Sequence, residues 1–508
     1  MLLNLKALVV VLFAAFVVFA LAKPLWLRFT EEADFERRRN VWLVLTVTAF
    51  VTPSFWAYAL VAVPTILWAA KRDSTPLALY VMLMFVIPPM EVRIPTIGID
   101  NLFEMSNIRL LNLLLLLPVA VRSISAKRGA LRLTSVDVLV LLFGALQMVL
   151  LMPYESLTNT MRRSFLFLLD VYIVYFAFSR LLDDRRQIGD ALAALCLVAA
   201  ISAPIAAFEW FRSWLLYIGI GEIWAHVNRD AYLMRGDSLR AQAAMGHSIT
   251  LGYLLATALG FWLYLRQLQT DKARDLAFLA GMGAGLLFTF ARGPWVMAAV
   301  VVAAFPFIGG RKVLGNAFKV LFWLAVGMGV VALTPFGANV IDSLPFIGTQ
   351  GQDSVTYRQQ LAEVSWTLIQ QNPFFGNPFV MLQMEELRPG EGGIIDLVNG
   401  YAQVALFYGL VGLAFFAAFF AASMLKAYQA LRLASADDDA DMVALGSALL
   451  ACMLGTLVFI ATAGAAYLQW LLAGLLVSYA GVYVQERRVA YEWSRGNSTR
   501  RPRGGLAT

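Results

Sequence analysis

The chain has 508 residues, 60% of them hydrophobic and only 14% charged. A soluble domain carries about 25% charged residues, so this composition excludes an ordinary soluble protein. The net charge of +7 belongs in such a chain to Lys and Arg of cytoplasmic loops. No nucleic-acid module is recognisable, and no nucleic-acid partner is expected. Cys196 and Cys452 both sit in apolar runs and read as buried small hydrophobes. No Cys/His cluster has metal-ligand spacing, so neither a metal nor another cofactor is expected.

Apolar runs recur along the whole chain. A helix needs roughly 20 residues to cross the hydrocarbon core, and these runs lack the period of two that a membrane barrel requires. The first, residues 5–22, ends in Ala20-Leu21-Ala22, which imitates a signal-peptide cleavage site; a first membrane helix is the preferred reading. Residues 41–70, broken near Pro53, are one kinked span or two short ones. Further runs cover 76–89, 107–121, 136–152, 165–179, 188–208, 248–265, 276–291, 295–308, 318–334 and 401–425. Residues 442–461 and 466–484 close the series. The fold class is therefore an all-α polytopic membrane protein of about 14 helices, oriented by its basic loops.

Those loops contain Lys71 and Arg72, Arg122 with Lys127 and Arg128, Arg180 with Arg185 and Arg186, Arg266 with Lys272, Arg311 with Lys312, and Lys426 with Arg432. They fall on one side, which the positive-inside rule makes cytoplasmic. Arg37, Arg38 and Arg39 leave the orientation of the first helix open. The organisation read from this is an N-terminal set of membrane helices (1–207), a core (208–484) and a disordered basic cytoplasmic tail (485–508). No internal repeat appears, which weakens the case for a transporter built from inverted halves.

The core carries two long outer loops, 209–247 and 335–398. Loops beyond about 12–15 residues are usually functional or disordered. The second has its own helix before the last three membrane helices. Tyr357, Leu361, Val364 and Leu368 form one apolar stripe, with Asp353 or Ser354 as its cap and Asn372, Pro373 and Gly376 ending it. That face has only the bundle to pack on, so the helix reads as a lid over an outward-facing cavity.

The outer side carries Arg162, Arg163, Arg229, Arg235, Arg240, Arg292, Arg358 and Arg388, with no lysine in the firmly placed outer loops. Guanidinium binds phosphate through a rigid fork and stays charged. An Arg-rich chain would give the same picture. Arg292 is the most telling, because Phe288-Thr289-Phe290-Ala291-Arg292-Gly293-Pro294-Trp295 joins two apolar runs by a tight turn. An arginine so near hydrocarbon costs a few kcal/mol unless it faces a cavity or an anion, or snorkels to the interface. Asp170, deep in an apolar run, is either functional or paired; Arg163, seven residues earlier, is too far for a direct pair. His226 and His247 are the only histidines. His247 opens a helix at the outer surface, where neutral imidazole is a candidate base or simply a helix-start residue. Residues 391–401 lead through glycines to Asp396 and Asn399, which cap a helix or touch sugar hydroxyls.

Three of these stretches, in this order, resemble the O-antigen ligase and Wzy-type polymerase superfamily. The first is Arg240 with Gly246-His247 and Leu251-Gly252. The second is Ala291-Arg292-Gly293-Pro294-Trp295. The third runs from Tyr357-Arg358 through Asn372-Pro373-Phe374-Phe375-Gly376 and Asn399-Gly400-Tyr401 to Tyr408-Gly409-Leu410-Val411-Gly412-Leu413. The closing Gln469-Trp470-Leu471-Leu472-Ala473-Gly474 also fits. The resemblance implies an inverting, metal-independent glycosyltransferase at the periplasmic face of the bacterial inner membrane. Its donor would be an undecaprenyl-diphosphate-linked glycan. Arg240, Arg292 and Arg358 would then bind the diphosphate, with Tyr357, Asn399 and Arg163 contacting substrate and His247 or Asp396 as the base. Ligases of this family place a histidine just before the asparagine at 399, where this chain has Val398. That departure favours a polymerase of exopolysaccharide or O-antigen repeats over a ligase acting on lipid A-core or protein. A lipid-linked glycan flippase is the alternative of another class. Membrane lipids, a flippase and chain-length or export proteins are the expected partners.

Overall fold

The computed structural model describes residues 2–94, 103–126, 133–224, 232–309, 352–388, 395, 397, 399–464 and 467–498. The run expected at 318–334, most of the loop before the lid helix, His226, Arg229, Asp396 and Val398 lie outside the described residues, as does the end of the tail. The structure is 79% helical, and the strands among the described residues form two short antiparallel hairpins, so this is a helical bundle. Among the described residues six helices are long and apolar enough to cross a membrane, and Phe55–Ala70, Ser135–Leu151 and Arg292–Ile308 are shorter apolar helices. Together they make a multi-pass membrane protein.

Local chemistry sets the breaks. The segment at 41–70 resolves into two helices, Glu32–Val51 and Phe55–Ala70, rather than one kinked span. Pro53 cannot continue the first ladder, and the Ser54 side chain accepts from Ala57 N to start the second. Thr134 and Asp137 form a reciprocal capping box ahead of Ser135–Leu151, and Asp184 accepts from Gln187 N at 2.8 Å to start Arg185–Arg212. In the apolar membrane-length stretch of that helix and of Ser248–Leu268, 83% of the residues are buried, against 39% in Leu3–Trp26 and 44% in Gly400–Ala436, so the first pair forms the interior and the second the rim. Small residues let helices approach closely: a Cβ on Gly252 would lie 2.7 Å from Pro294, and one on Gly285 2.9 Å from Ala203.

At one end of the bundle several basic residues are tied into ion pairs. Arg38, 2% exposed, makes a two-pronged bond to Asp73 (2.8 and 2.6 Å) and another to Asp190 (2.8 and 2.9 Å). Arg185 reaches Asp439, Asp441 and Glu486. Arg266 holds Asp275 at 3.0 Å, and Arg180 pairs with buried Asp137. Trp26 stacks on Trp262 with centroids 5.3 Å apart and donates to Ala193 O at 2.8 Å, so the first helix is integrated into the bundle at this same end.

At the opposite end a loop is locked into a membrane helix. Gly409 breaks Gly400–Ala436 with φ 66°, and Gly376, also at φ 66°, is pressed against the break. A Cβ on Gly376 would lie 2.5 Å from Leu406 O and 2.6 Å from Gly409 N, so only glycine fits. The backbone groups freed by the break are taken up by the loop. Leu410 N donates to Pro373 O at 2.8 Å, Val411 N to Phe374 O at 3.2 Å, and Asn377 N to Leu406 O at 2.8 Å. Irregular backbone inside hydrocarbon survives only with such replacement partners. The helix Gln352–Gln371 leads into this wedge. It begins earlier than the expected cap, so Asp353 and Ser354 are inside it. Leu361 is buried with Val380, Met384, Ile395 and Leu406, and Tyr357, Val364 and Leu368 pack against that cluster. The apolar stripe read from the sequence thus meets the bundle.

Arg38→Met should destabilise the protein by about 3–5 kcal/mol, because two carboxylates would be left buried without their cation. Thermal unfolding in detergent measures this, and an unchanged Tm would refute it.

Candidate functional site

The site is assembled around a turn and a hairpin. Met234–Arg235 pairs with Ser238–Leu239 through a turn at Gly236, which has φ 54°. The strand end then runs onto the turn between two helices, Lys272–Phe288 and Arg292–Ile308. Ala241 N donates to Phe288 O at 3.1 Å, and Arg240 Nε to Thr289 O at 3.4 Å. The turn itself is held from inside. The Thr289 hydroxyl donates to Leu286 O at 2.7 Å and accepts from Ala291 N at 3.3 Å. Phe290 takes a left-handed φ of 45°, which costs a non-glycine residue roughly 1–3 kcal/mol. Burial among Trp210, Phe288 and Trp295 sustains it.

Glu209 fixes the loop from below. It is fully buried and accepts three backbone N–H bonds, from Leu216 (3.0 Å), Gln242 (2.9 Å) and Ala243 (2.8 Å). Those donors come from both ends of the first outer loop, so one carboxylate fastens the loop that carries Arg235 and Arg240.

These constraints bring the outer arginines together. Burial pushes the Arg235 guanidinium down to about 10, and the charges of Arg292 and Arg358 add to the effect. Burial likewise pushes Arg240 down to about 10, with Arg235 and Arg358 contributing. Arg292 in turn feels the charge of Arg358, so the four are linked through their mutual electrostatics. Among the described residues, Arg235, Arg240 and Arg358 form no ion pair, and the buried Nη1 of Arg235 has no hydrogen-bond partner. Such an arrangement can receive a polyanion: its cations are held by the fold at a cost in mutual repulsion, and one buried donor is left unsatisfied.

Beside it lies a cavity of about 340 Å³ lined by Arg358, Ser365, Trp366, Asn399 and Thr462, among others. Gly293 touches Thr462, since a Cβ there would be 2.5 Å from its hydroxyl. The Arg292 turn therefore adjoins this cavity. Tyr357 is half-buried on the same helix as Arg358. Asn399 does cap its helix, accepting from Tyr401 N (3.0 Å) and Ala402 N (3.2 Å), and it also faces the cavity.

The other expected residues lie elsewhere. His247 is exposed, caps Ser248–Leu265 through Nδ1, which accepts from Ile249 N at 3.2 Å, and lines a second cavity of about 460 Å³. Arg163 lines a third, of about 430 Å³, with Gln147, Gln403 and Trp470, and pairs with Glu155 at 3.2 Å. Asp170 is paired, with Arg109, whose Nε donates at 2.9 Å. The sequence did not suggest that partner, because it sits 61 residues away. Arg235 and Glu209 are the members of the site that the sequence did not single out. The Gly236-Asp237 pair that turns the hairpin was the available signal for the first.

The fold and this site define a polytopic membrane protein with a cluster of arginines at one end. Residues 277–417 match the family model described as O-antigen ligase. The chain thus carries a domain of the O-antigen ligase and Wzy-type superfamily, and Arg292, Arg358, Asn399 and Gly409 all fall inside it. Arg240 and His247 precede the matched stretch. No curated protein matches the chain.

Arg235→Gln should raise the Tm of the ligand-free protein by removing one repelling cation, while weakening binding of inorganic pyrophosphate roughly tenfold or more. Thermal shift with and without pyrophosphate tests both, and a variant with lower Tm and unchanged binding would contradict the receptor reading.

Proposed function

We propose that the protein polymerises undecaprenyl-diphosphate-linked polysaccharide repeat units, of an exopolysaccharide or O-antigen, by inverting and metal-independent glycosyl transfer. One observation carries the reading: Arg235, Arg240, Arg292 and Arg358 act on one another's charge, and among the described residues Arg235, Arg240 and Arg358 form no ion pair. A diphosphate supplies the missing charge and enough oxygens for several guanidinium forks. It is also the leaving group. As the bond between the anomeric carbon and the diphosphate oxygen lengthens, charge grows on the phosphates, and donors already in place stabilise it without reorganising. The acceptor hydroxyl attacks from the opposite face, which inverts the anomeric centre.

The lid helix with Tyr357 and Arg358, and Asn399 at the mouth of its helix, suit the sugar end of the donor. Arg163 belongs to a separate cavity and fits a second glycan better than the diphosphate. Asp396 is proposed beside Asn399 from its place in the sequence. His247 is proposed on the acceptor side. Lysines and arginines paired at the opposite end support a cytoplasmic assignment for that end, hence a periplasm-facing site in the inner membrane. Membrane lipids, a flippase and chain-length or export proteins are the proposed neighbours.

Val398 at the position where ligases of the family carry histidine favours polymerisation. The matched family description favours ligation to lipid A-core or protein as the second reading. A deletion strain separates them: single unpolymerised lipid-linked repeats point to a polymerase, and full-length chains that fail to attach point to a ligase. Arg292→Lys should insert normally yet lose roughly a hundredfold in turnover, because a point charge cannot replace the fork. Lysine working as well as arginine would remove the diphosphate role.

A further inference from the structure

The second cavity carries chemistry that the arginine site lacks. It is walled on one side by Pro88, Pro89 and Glu91, and on the other by Gln242, Gly246 and His247. The two walls are in contact: a Cβ on Gly246 would lie 3.4 Å from Pro88 and 3.5 Å from Pro89. Gln242 is two residues after Arg240, so the wall continues directly from the strand that holds the arginines. Glu91 thus lies close to the donor loop although 149 residues separate it from Arg240 in sequence.

His247 cannot take a proton here in its neutral form. Nδ1 accepts the Ile249 N–H, which leaves the ring proton on Nε2, so the remaining nitrogen is a donor. A base must come from another residue. Glu91 is the carboxylate lining this cavity, with its side chain 42% exposed. It is oriented from behind: Arg109 Nη1 lies 3.0 Å from it, Arg109 is itself fixed by Asp170 at 2.9 Å, and Glu104 shares a hydrogen bond with it.

We propose that this cavity receives the acceptor sugar, with His247 donating to the acceptor and Glu91 as the general base. This rests on the glycosyl-transfer reading above. The acceptor O–H gives its proton to the Glu91 carboxylate while its oxygen bonds to the anomeric carbon. The bond from that carbon to the diphosphate breaks, and its electron pair leaves with the diphosphate into the arginine cluster. Burial and the Glu104 carboxyl raise the proton affinity of Glu91, and Arg109 tempers the rise, which strengthens Glu91 as a base. Arg109 and Asp170 are positioning residues.

The test uses full-length protein in lipid nanodiscs, with lipid-linked glycan extracted from the deletion strain as substrate. Binding of undecaprenyl diphosphate is measured separately. Glu91→Gln and Glu91→Ala should lower kcat by about 10²–10⁴ and leave undecaprenyl diphosphate binding within about twofold. Added formate should restore part of the turnover of Glu91→Ala and not affect the unchanged protein. Glu91→Asp, which keeps a carboxylate for Arg109, should stay within about tenfold. Retained turnover in Glu91→Gln, an aspartate variant as slow as the glutamine one, or loss without formate rescue would each overturn the assignment. Formate rescue of Asp396→Ala in place of Glu91→Ala would also overturn it, by moving the base. Failure of the diphosphate reading shows differently, as unchanged undecaprenyl diphosphate binding when Arg235 and Arg292 are replaced.

Discussion

Arginine cannot discard its charge, and hydrocarbon does not tolerate a charge left uncompensated. At the basic end of this bundle that constraint is met by pairing. Arg38 is clamped by two aspartates, Arg185 by three carboxylates, and Arg266 and Arg180 by one each. At the other end Arg109, Arg163 and Arg388 are paired as well. Exposed arginines such as Arg93 and Arg212 also form no ion pair among the described residues, and water compensates them. Arg235, Arg240 and Arg358 differ in that the lack of an ion pair coincides with mutual repulsion, and burial sets Arg235 and Arg240 apart further.

Holding like charges together requires rigid support, and the surroundings of the cluster supply it in layers. Glu209 gathers three N–H groups beneath the loop. The hairpin end is bonded to the turn at Phe288 and Thr289. Aromatic rings hold Phe290 in a backbone conformation it would otherwise leave. The loop carrying the lid is fastened by the Gly376–Gly409 junction, where helix and loop exchange backbone bonds. Each device acts before any ligand arrives, which is what electrostatic stabilisation of a leaving group needs.

Much of this was legible in the sequence for definite physical reasons. Membrane helices announce themselves by length and apolarity, and Arg292 stood out because it interrupts hydrocarbon. The lid stripe was legible because 3.6-residue periodicity survives in a loop helix. What the sequence did not disclose depends on distance along the chain. Asp170 read as functional or paired, but its partner Arg109, 61 residues away, could not be picked out. Glu209 entered only as the start of an outer loop, since nothing local says that three backbone donors will converge on it. Gly409 read as part of a motif, yet its reason, the backbone of Phe374, arrives only when the loop folds back. The break at Pro53 lay between these cases: the sequence located it, but only packing decides whether a kink becomes two helices.

The division of labour between the cavities follows from charge. A site that stabilises a leaving diphosphate must be cationic, and a base within it would lose its proton affinity to the surrounding guanidinium groups. A carboxylate working on the acceptor therefore needs its own compartment, with its cationic neighbour already committed elsewhere. Arg109 meets that condition, because Asp170 takes up much of its charge and it still orients Glu91. One arginine shared between two carboxylates can position a base without silencing it. Arginines that press on one another's charge can bind an anion and would silence any base placed among them. The two arrangements sit on adjoining walls of one loop, and a donor and an acceptor meeting between them would have the leaving group and the attacking hydroxyl held by opposite electrostatics.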